Sequence, residues 1–413
     1  MREQEAAHYF GLDIGTSMVR CVIGTLDGED IPKPSVIGHG SAPNLGVRKG
    51  VVTHVDDVVE AITQALSEAE RVSGVRVQAA TVNVNGSHVQ GMNSKGVIAI
   101  SSPNREITQE DRLRVEEAAT IVKLPPNREI IQVFAKNYRL DGQDNIKDPV
   151  GMTGVRLEVD THIVAAATPS LKALDMALER AQVRPSHHVV SSLAAAEAVL
   201  NRQQKESGTV LLDIGSGTTN LVVIEDGEVQ HVAVIPMGGQ DITNDLAIGL
   251  KTDLDIAELV KLNHGTLATV KPGRVTVQYG GRSHFFDRDG DYGVVNIIEA
   301  RVEHIFEFVD KELKKINRSR KLPGGVVLVG GGSKLPGISE FAKEKLQLAV
   351  RIGSLESVGG LVDTVEDPAY ASAVGLMLLD LFLQDSNGLG TTGGQPNQSV
   401  FGLVDGLIKR FRK

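Results

Sequence analysis

Two segments of this chain, offset by 200 residues, carry one pattern. Phe10-Gly11-Leu12-Asp13-Ile14-Gly15-Thr16-Ser17 leads into the apolar run 18–24. Leu211-Leu212-Asp213-Ile214-Gly215-Ser216-Gly217-Thr218-Thr219-Asn220 leads into 221–224. Each copy reads as an apolar strand, a D-I-G turn bearing hydroxyl side chains, and a second apolar strand, which is a β-hairpin. A repeat at that offset implies two homologous halves, each of domain size.

The remaining pattern is α/β. Helical apolar spacing covers 55–72, 109–122 behind Thr108 as N-cap, 170–181, 241–250, 256–262, 297–316, 341–348 and 371–383. Strands are expected at 79–84, 130–138, 162–167 and 326–329, and the Ala-rich stretch 189–200 is helical in its second half. Mean hydropathy near zero (-0.05) with 23% charged residues describes a globular chain with material for a large core.

Composition removes several classes of function. A net charge of -9 and 4% aromatic residues supply neither the basic surface nor the stacking platforms of a general nucleic-acid binder. The single cysteine, Cys21, falls in an alternating apolar run and reads as a buried small hydrophobe, not as part of a disulfide or thiolate cage. His187-His188 has no third ligand nearby and reads as loop packing. No apolar h-region follows Met1 and no apolar run is long enough to span a bilayer, so the expectation is a cytoplasmic protein.

The paired turns have a use. Glycine lets successive backbone N–H groups turn inward, and with neighbouring hydroxyls they form a nest for phosphate oxygens. Gly15, Thr16 and Ser17 would supply one wall; Gly215, Ser216, Gly217, Thr218 and Thr219 would supply the other. Asp13 and Asp213, at the strand ends, suit Mg2+ held through its water shell. A third element, Val329-Gly330-Gly331-Gly332-Ser333-Lys334-Leu335, runs from a buried strand toward a helix, and its glycines would let an adenine rest on the backbone at Gly331, Gly332, Ser333 and Leu335. No G-x-x-x-x-G-K-[ST] occurs, and Asn220 breaks the dinucleotide G-x-G-x-x-G.

Two phosphate hairpins, a V-G-G-G-S turn, and small-residue helices at 191–200 and 371–376 resemble the actin/Hsp70/sugar-kinase superfamily. That resemblance implies a duplicated actin-like α/β fold with two lobes around an ATP cleft. It also gives Glu258 and Lys261 a ribose contact, against the alternative of an exposed helix ion pair. Within the superfamily, an insertion at 87–160, the sequence Pro236-Met237-Gly238-Gly239-Gln240-Asp241-Ile242-Thr243-Asn244-Asp245-Leu246, and the chain length resemble the FtsA family of actin-like bacterial cell-division proteins. The implied layout is subdomain 1A from 1–86, 161–186 and 370–383; an inserted 1C at 87–160; 2A from 187–243 and 304–369; 2B at 244–303; a linker at 384–398; and a terminal helix at 399–413. The same resemblance implies self-association into filaments and recruitment of later division proteins through 1C. It further implies binding of the FtsZ C-terminal tail on 2B with Arg301 as a carboxylate contact, whose alternative is a solvated helix charge. No group that orients an attacking water is evident; Glu197 and Gln240 are the candidates, and at most slow ATPase activity is expected. Other readings are an MreB- or PilM-like scaffold, or a sugar kinase, which would need a sugar pocket with a catalytic Asp.

The terminal segment is separable by geometry. At about 100° per residue, Val400, Phe401, Leu403, Val404, Leu407, Ile408 and Phe411 fall within an arc of roughly 160°. Asp405, Lys409, Arg410, Arg412 and Lys413 fall opposite. A short helix with an apolar face and a Lys/Arg-rich face suits an in-plane anchor on anionic lipid. The alternative is a helix docked on the protein itself or on a partner, against which the polar tether weighs. That geometry makes a peripheral membrane location the expectation, and the FtsA resemblance implies the cytoplasmic face at the division site.

Overall fold

The computed structural model describes residues 7–28, 33–290, 292–356 and 358–388. Each half is built on one sheet. In the first, strands His8–Ile14, Met18–Asp27 and Lys33–Pro43 form an antiparallel meander. Ala79–Val84 then pairs parallel to the first strand and Arg184–Val190 parallel to Ala79–Val84. In the second, Thr209–Ile214, Thr219–Glu225 and Glu228–Ile235 repeat the meander, and Gly325–Val329 and Val350–Ile352 extend it in parallel. Strands buried on both faces explain the near-continuous Val/Ile/Leu runs that replace simple alternation here.

The halves join at two crossed helices, Ser191–Val199 and Ala371–Gly388. Their small residues permit close approach: a Cβ at Gly375 would sit 1.7 Å from the Ala194 carbonyl oxygen. Asp380, which interrupts the longest apolar run, is buried and accepts hydrogen bonds from Phe10 N–H at 3.0 Å and Thr81 Oγ1 at 2.7 Å. It fastens the second helix to the first sheet.

A separate four-stranded antiparallel sheet, in the order Gln90–Ala99, Arg156–Ala167, Arg128–Leu140, Gln143–Ile146, has its own core with helix Gln109–Thr120. Thr108 caps that helix with a full capping box, as its position before the apolar run indicates.

Several expected boundaries fall elsewhere. The strand expected at 162–167 starts at Arg156 and pairs along its length with both neighbours of the inserted sheet, so the division at 160/161 would cut it. The division at 186/187 cuts Arg184–Val190, which belongs to the first sheet; His187 and His188 therefore lie on a strand, not a loop. Gly359–Gly360 also pairs with the first sheet, although it lies within 304–369, expected in the second half. Helix Val294–Lys315 runs unbroken across 303/304, and Ala371–Gly388 continues five residues into the expected linker. Residues 389–413, including the amphipathic segment, lie outside the described residues. Among the described residues no helix is long and apolar enough to cross a membrane.

Candidate functional site

The two D-I-G turns close identically, Gly15 N–H to Met18 O at 3.0 Å and Gly215 N–H to Thr218 O at 2.9 Å. They face one another: a Cβ on Gly217 would lie 2.8 Å from Thr16 Oγ1. Behind them a cavity of about 590 Å³ opens between the halves. Of the residues expected there, Asp13, Gly15, Thr16, Ser17, Asp213, Gly215, Ser216, Thr218, Glu258, Lys261, Gly331, Gly332, Leu335 and Gln240 line it.

Gly217, Thr219 and Ser333 do not. Gly217 is the point of contact with the opposite turn. Thr219 is buried with Oγ1 donating to Met237 O at 2.9 Å, and Ser333 Oγ caps its own turn by donating to Gly330 O at 2.7 Å. Gly330 needs its left-handed φ of 82°, and a Cβ there would meet Asp213 Oδ1 at 2.4 Å. Gly331 has open space where a side chain would be, so its backbone is bare toward the cavity. Glu197 is corrected: it is buried on the first connecting helix, 2.7 Å from Lys205 Nζ, and is absent from the cavity wall. A carboxylate in a buried ion pair has no access to an attacking water.

Asp13 and Asp213 sit on a continuous polar path beneath the cavity. Asn83 Nδ2 donates to Asp13 Oδ1 at 2.7 Å and to Ser191 Oγ at 3.1 Å, and Ser372 Oγ lies 3.2 Å from Asp213 Oδ2. Burial pushes Asp13 up to about 7, partly offset by Arg20 and aided by the Asp213 charge; burial likewise raises Asp213. Two desolvated carboxylates side by side are a donor set that a hydrated divalent cation suits. The buried Asn220 Oδ1, which has no hydrogen-bond partner, adds an unused acceptor beside them. No cluster of three His, Cys, Asp or Glu side chains occurs among the described residues, so a fully protein-ligated ion is not what this arrangement offers. His188 is instead paired with Asp175 at 2.8 Å.

A stability consequence follows for the ligand-free protein. The folded Asp13 carboxyl keeps its proton up to about pH 7, whereas the unfolded one loses it near 3.8. Its contribution therefore weakens folding as pH rises through that window and is constant above it. Asp13→Asn is expected to unfold at higher urea than wild type at pH 8 and at the same urea near pH 3. A wild-type curve that gains relative stability across the window contradicts this assignment.

Glu258 and Lys261 are both an ion pair and part of the wall. Lys261 Nζ lies 2.6 Å from Glu258 Oε2 and donates to Thr243 Oγ1 at 2.8 Å and Gly239 O at 3.1 Å. Arg301 is held by Asp245 through two bonds of 2.6 and 2.9 Å, away from the cavity on helix Val294–Lys315. It is neither solvated alone nor free.

Sequence reasoning missed Arg20, Asn85, Asn220, Lys334, Asp367 and Ser372, which also line the cavity. For two of them a signal existed. In each hairpin the Asp faces the residue seven positions on, Asp13 opposite Arg20 and Asp213 opposite Asn220. Opposed residues of an antiparallel pair share one face, so the repeat itself marks position +7.

Comparison with known proteins agrees with this geometry. The family model described as "Cell division protein FtsA" matches residues 210–375. That described as "SHS2 domain inserted in FTSA" matches 86–165, the region of the inserted sheet. The chain is 35% identical to the cell division protein FtsA of Pseudomonas aeruginosa over 375 residues, 90% of this chain and 88% of that one. Among solved structures, a chain of the PilM-PilN type IV pilus biogenesis complex superposes with a TM-score of 0.64 at 20% identity, covering 90% of this chain and 98% of that one. MreB5 of Spiroplasma citri bound to ADP gives 0.54 at 14%, covering 93% and 99%. At those identities the structures speak for the two-lobed fold alone.

Proposed function

The chain belongs to the FtsA family of cell-division proteins, and from that premise we propose that it is an ATP-binding, self-associating adaptor that ties an FtsZ ring to the membrane. The observation that carries the nucleotide part is the cavity itself. Two facing phosphate-type turns, a bare glycine turn and two buried carboxylates enclose one space of about 590 Å³, within the usual range for a small-molecule site.

Each part has a role. The N–H groups and hydroxyls of Thr16, Ser17, Ser216 and Thr218 would receive the phosphates, Gly15 and Gly215 shaping the turns with N–H groups that close on Met18 O and Thr218 O, and Arg20 would add a fixed positive charge. Gly331, Gly332 and Leu335 would take the adenine, and Glu258 with Lys261 the ribose. Asp13 and Asp213 would hold hydrated Mg2+, whose charge would offset part of the negative charge of the phosphates and the two carboxylates. Gln240 lines the cavity, but no ionised base stands free among the named polar groups. Nucleotide then acts by favouring one closed arrangement of the halves, with at most slow hydrolysis. MreB5 carries ADP in its solved structure, which supports a nucleotide for this fold.

FtsZ-tail binding near Arg301 remains part of this reading. Because Asp245 already engages the guanidinium, a tail carboxylate would add to or displace that pair. Later division proteins would meet the inserted sheet, and membrane attachment would rest with 400–413.

The test is titration of the full chain with ATP, with and without Mg2+. Binding is expected only at full strength with Mg2+. Lys261→Ala is expected to weaken it about tenfold, the loss of a hydrogen bond to a charged group. Turnover of a sugar at kinase rates, or binding indifferent to both changes, would overturn the proposal.

A further inference from the structure

Asn85 stands where three parts of the molecule meet. It follows strand Ala79–Val84 of the first half, it precedes the inserted sheet, and its side chain crosses the cleft to the second phosphate turn. The orientation of its amide is fixed. Gly86 N–H donates to Asn85 Oδ1 at 2.6 Å, and an N–H can be met only by an acceptor, so Nδ2 faces Thr218 Oγ1, at 3.1 Å. The reverse contact, Thr218 Oγ1 to Asn85 Oδ1, is longer at 3.4 Å, beyond the usual O–H···O range.

The Thr218 hydroxyl oxygen therefore accepts from Asn85, and its single hydrogen is left for the cavity, which both residues line. Asn85 has little freedom to turn away. Gly86 carries a φ of 111°, and a Cβ on Gly50 would lie 2.6 Å from Gly86 Cα, so the backbone there is packed against the neighbouring loop.

We propose that Asn85 is a positioning residue: it aims the Thr218 hydroxyl at a bound phosphate and, through Gly86, links that contact to the root of the inserted sheet. This rests on the nucleotide reading above. Occupancy by a phosphate oxygen strengthens the hydrogen-bonded chain phosphate–Thr218–Asn85–Gly86, since bonds in series polarise one another. The inserted sheet is then the element that feels the phosphate.

The experiment is a double-mutant cycle on the full-length chain, read as affinity for a non-hydrolysable ATP analogue with Mg2+. Asn85→Ala is expected to weaken binding about three- to tenfold, one hydrogen bond's worth. The same loss is expected in a Thr218→Ser background, which keeps the hydroxyl, and none in Thr218→Val, because two residues acting as a unit are non-additive. Hydrogen exchange at 86–99 should slow on analogue binding in wild type and not in Asn85→Ala. If Asn85→Ala proves unstable, Asn85→Asp keeps an acceptor for Gly86 and cannot donate, and the same cycle reads the coupling. An equal loss in the Thr218→Val background, or an unchanged exchange response, overturns the positioning role. Failure of wild type to bind the analogue overturns the nucleotide reading itself, which is a separate result.

Discussion

Gly375→Ala is expected to destabilise the chain by about 3 kcal/mol or more, at the upper end of overpacking costs. On an ordinary helix the same change stabilises by about 1 kcal/mol, because alanine loses less backbone freedom. The reversal comes from the crossing of the two connecting helices. The new Cβ would lie 1.7 Å from the Ala194 carbonyl oxygen and 2.3 Å from its carbon, and main-chain atoms cannot rotate aside. Retreat is blocked on the opposite side. A Cβ at Gly11 would lie 2.3 Å from Ala373 O and 2.4 Å from Met377 N, so the strand already presses on the same helix. Relief requires parting the helices, which opens the joint between the halves. Gly249→Ala provides the comparison: its Cβ would meet only the movable tip of Ile297, at 2.5 Å, and a change within about 1 kcal/mol is expected. Urea unfolding of the three proteins decides the matter, and a Gly375→Ala chain as stable as wild type would refute the close crossing.

Removal of 400–413 is expected to abolish sedimentation with anionic phosphatidylglycerol vesicles, leaving only the level seen on neutral phosphatidylcholine. Four basic side chains and one Asp give this segment +3, while the whole chain carries -9. The rest of the chain is thus acidic, and on a helical wheel of the sequence the basic side chains of the segment fall opposite one apolar arc. Each basic residue near an anionic surface contributes about 1 kcal/mol. Lys409→Glu with Arg410→Glu should therefore weaken binding by roughly tenfold or more while leaving the apolar face intact. A single short helix binds modestly, and Gly402 and Gly406 oppose its folding. Linked copies gain avidity without new contacts, so self-association should sharpen the vesicle response. Equal sedimentation of the truncated chain would end the anchor reading.

Much of the architecture was legible because it is written locally. The D-I-G turns, the V-G-G-G-S turn, the Thr108 cap and the periodic helices depend on neighbours within a few residues. Boundaries failed where pairing is long-range. Nothing near Asp160 or Ser186 announces which sheet accepts the strand; the partners at 90–99, 128–140 and 79–84 do. The site shows the same division. Its glycines and aspartates stood out, whereas Asn83, Asn85 and Ser372 are ordinary residues until folding puts them beside Asp13, Thr218 and Asp213.

The sequence by itself determined the duplication, the two phosphate-type turns, the insertion within the first half and the amphipathic periodicity of 400–413, since each is a repeat, a turn chemistry or a periodicity carried by adjacent residues. Tertiary structure alone decided that Glu197 is spent on Lys205, that Arg301 is held by Asp245, and that the local Glu258–Lys261 ion pair lines the cavity. A charge's role depends on what reaches within about 4 Å of it. For Arg301 that neighbour comes from 56 positions away in the chain, a distance over which sequence spacing carries no information.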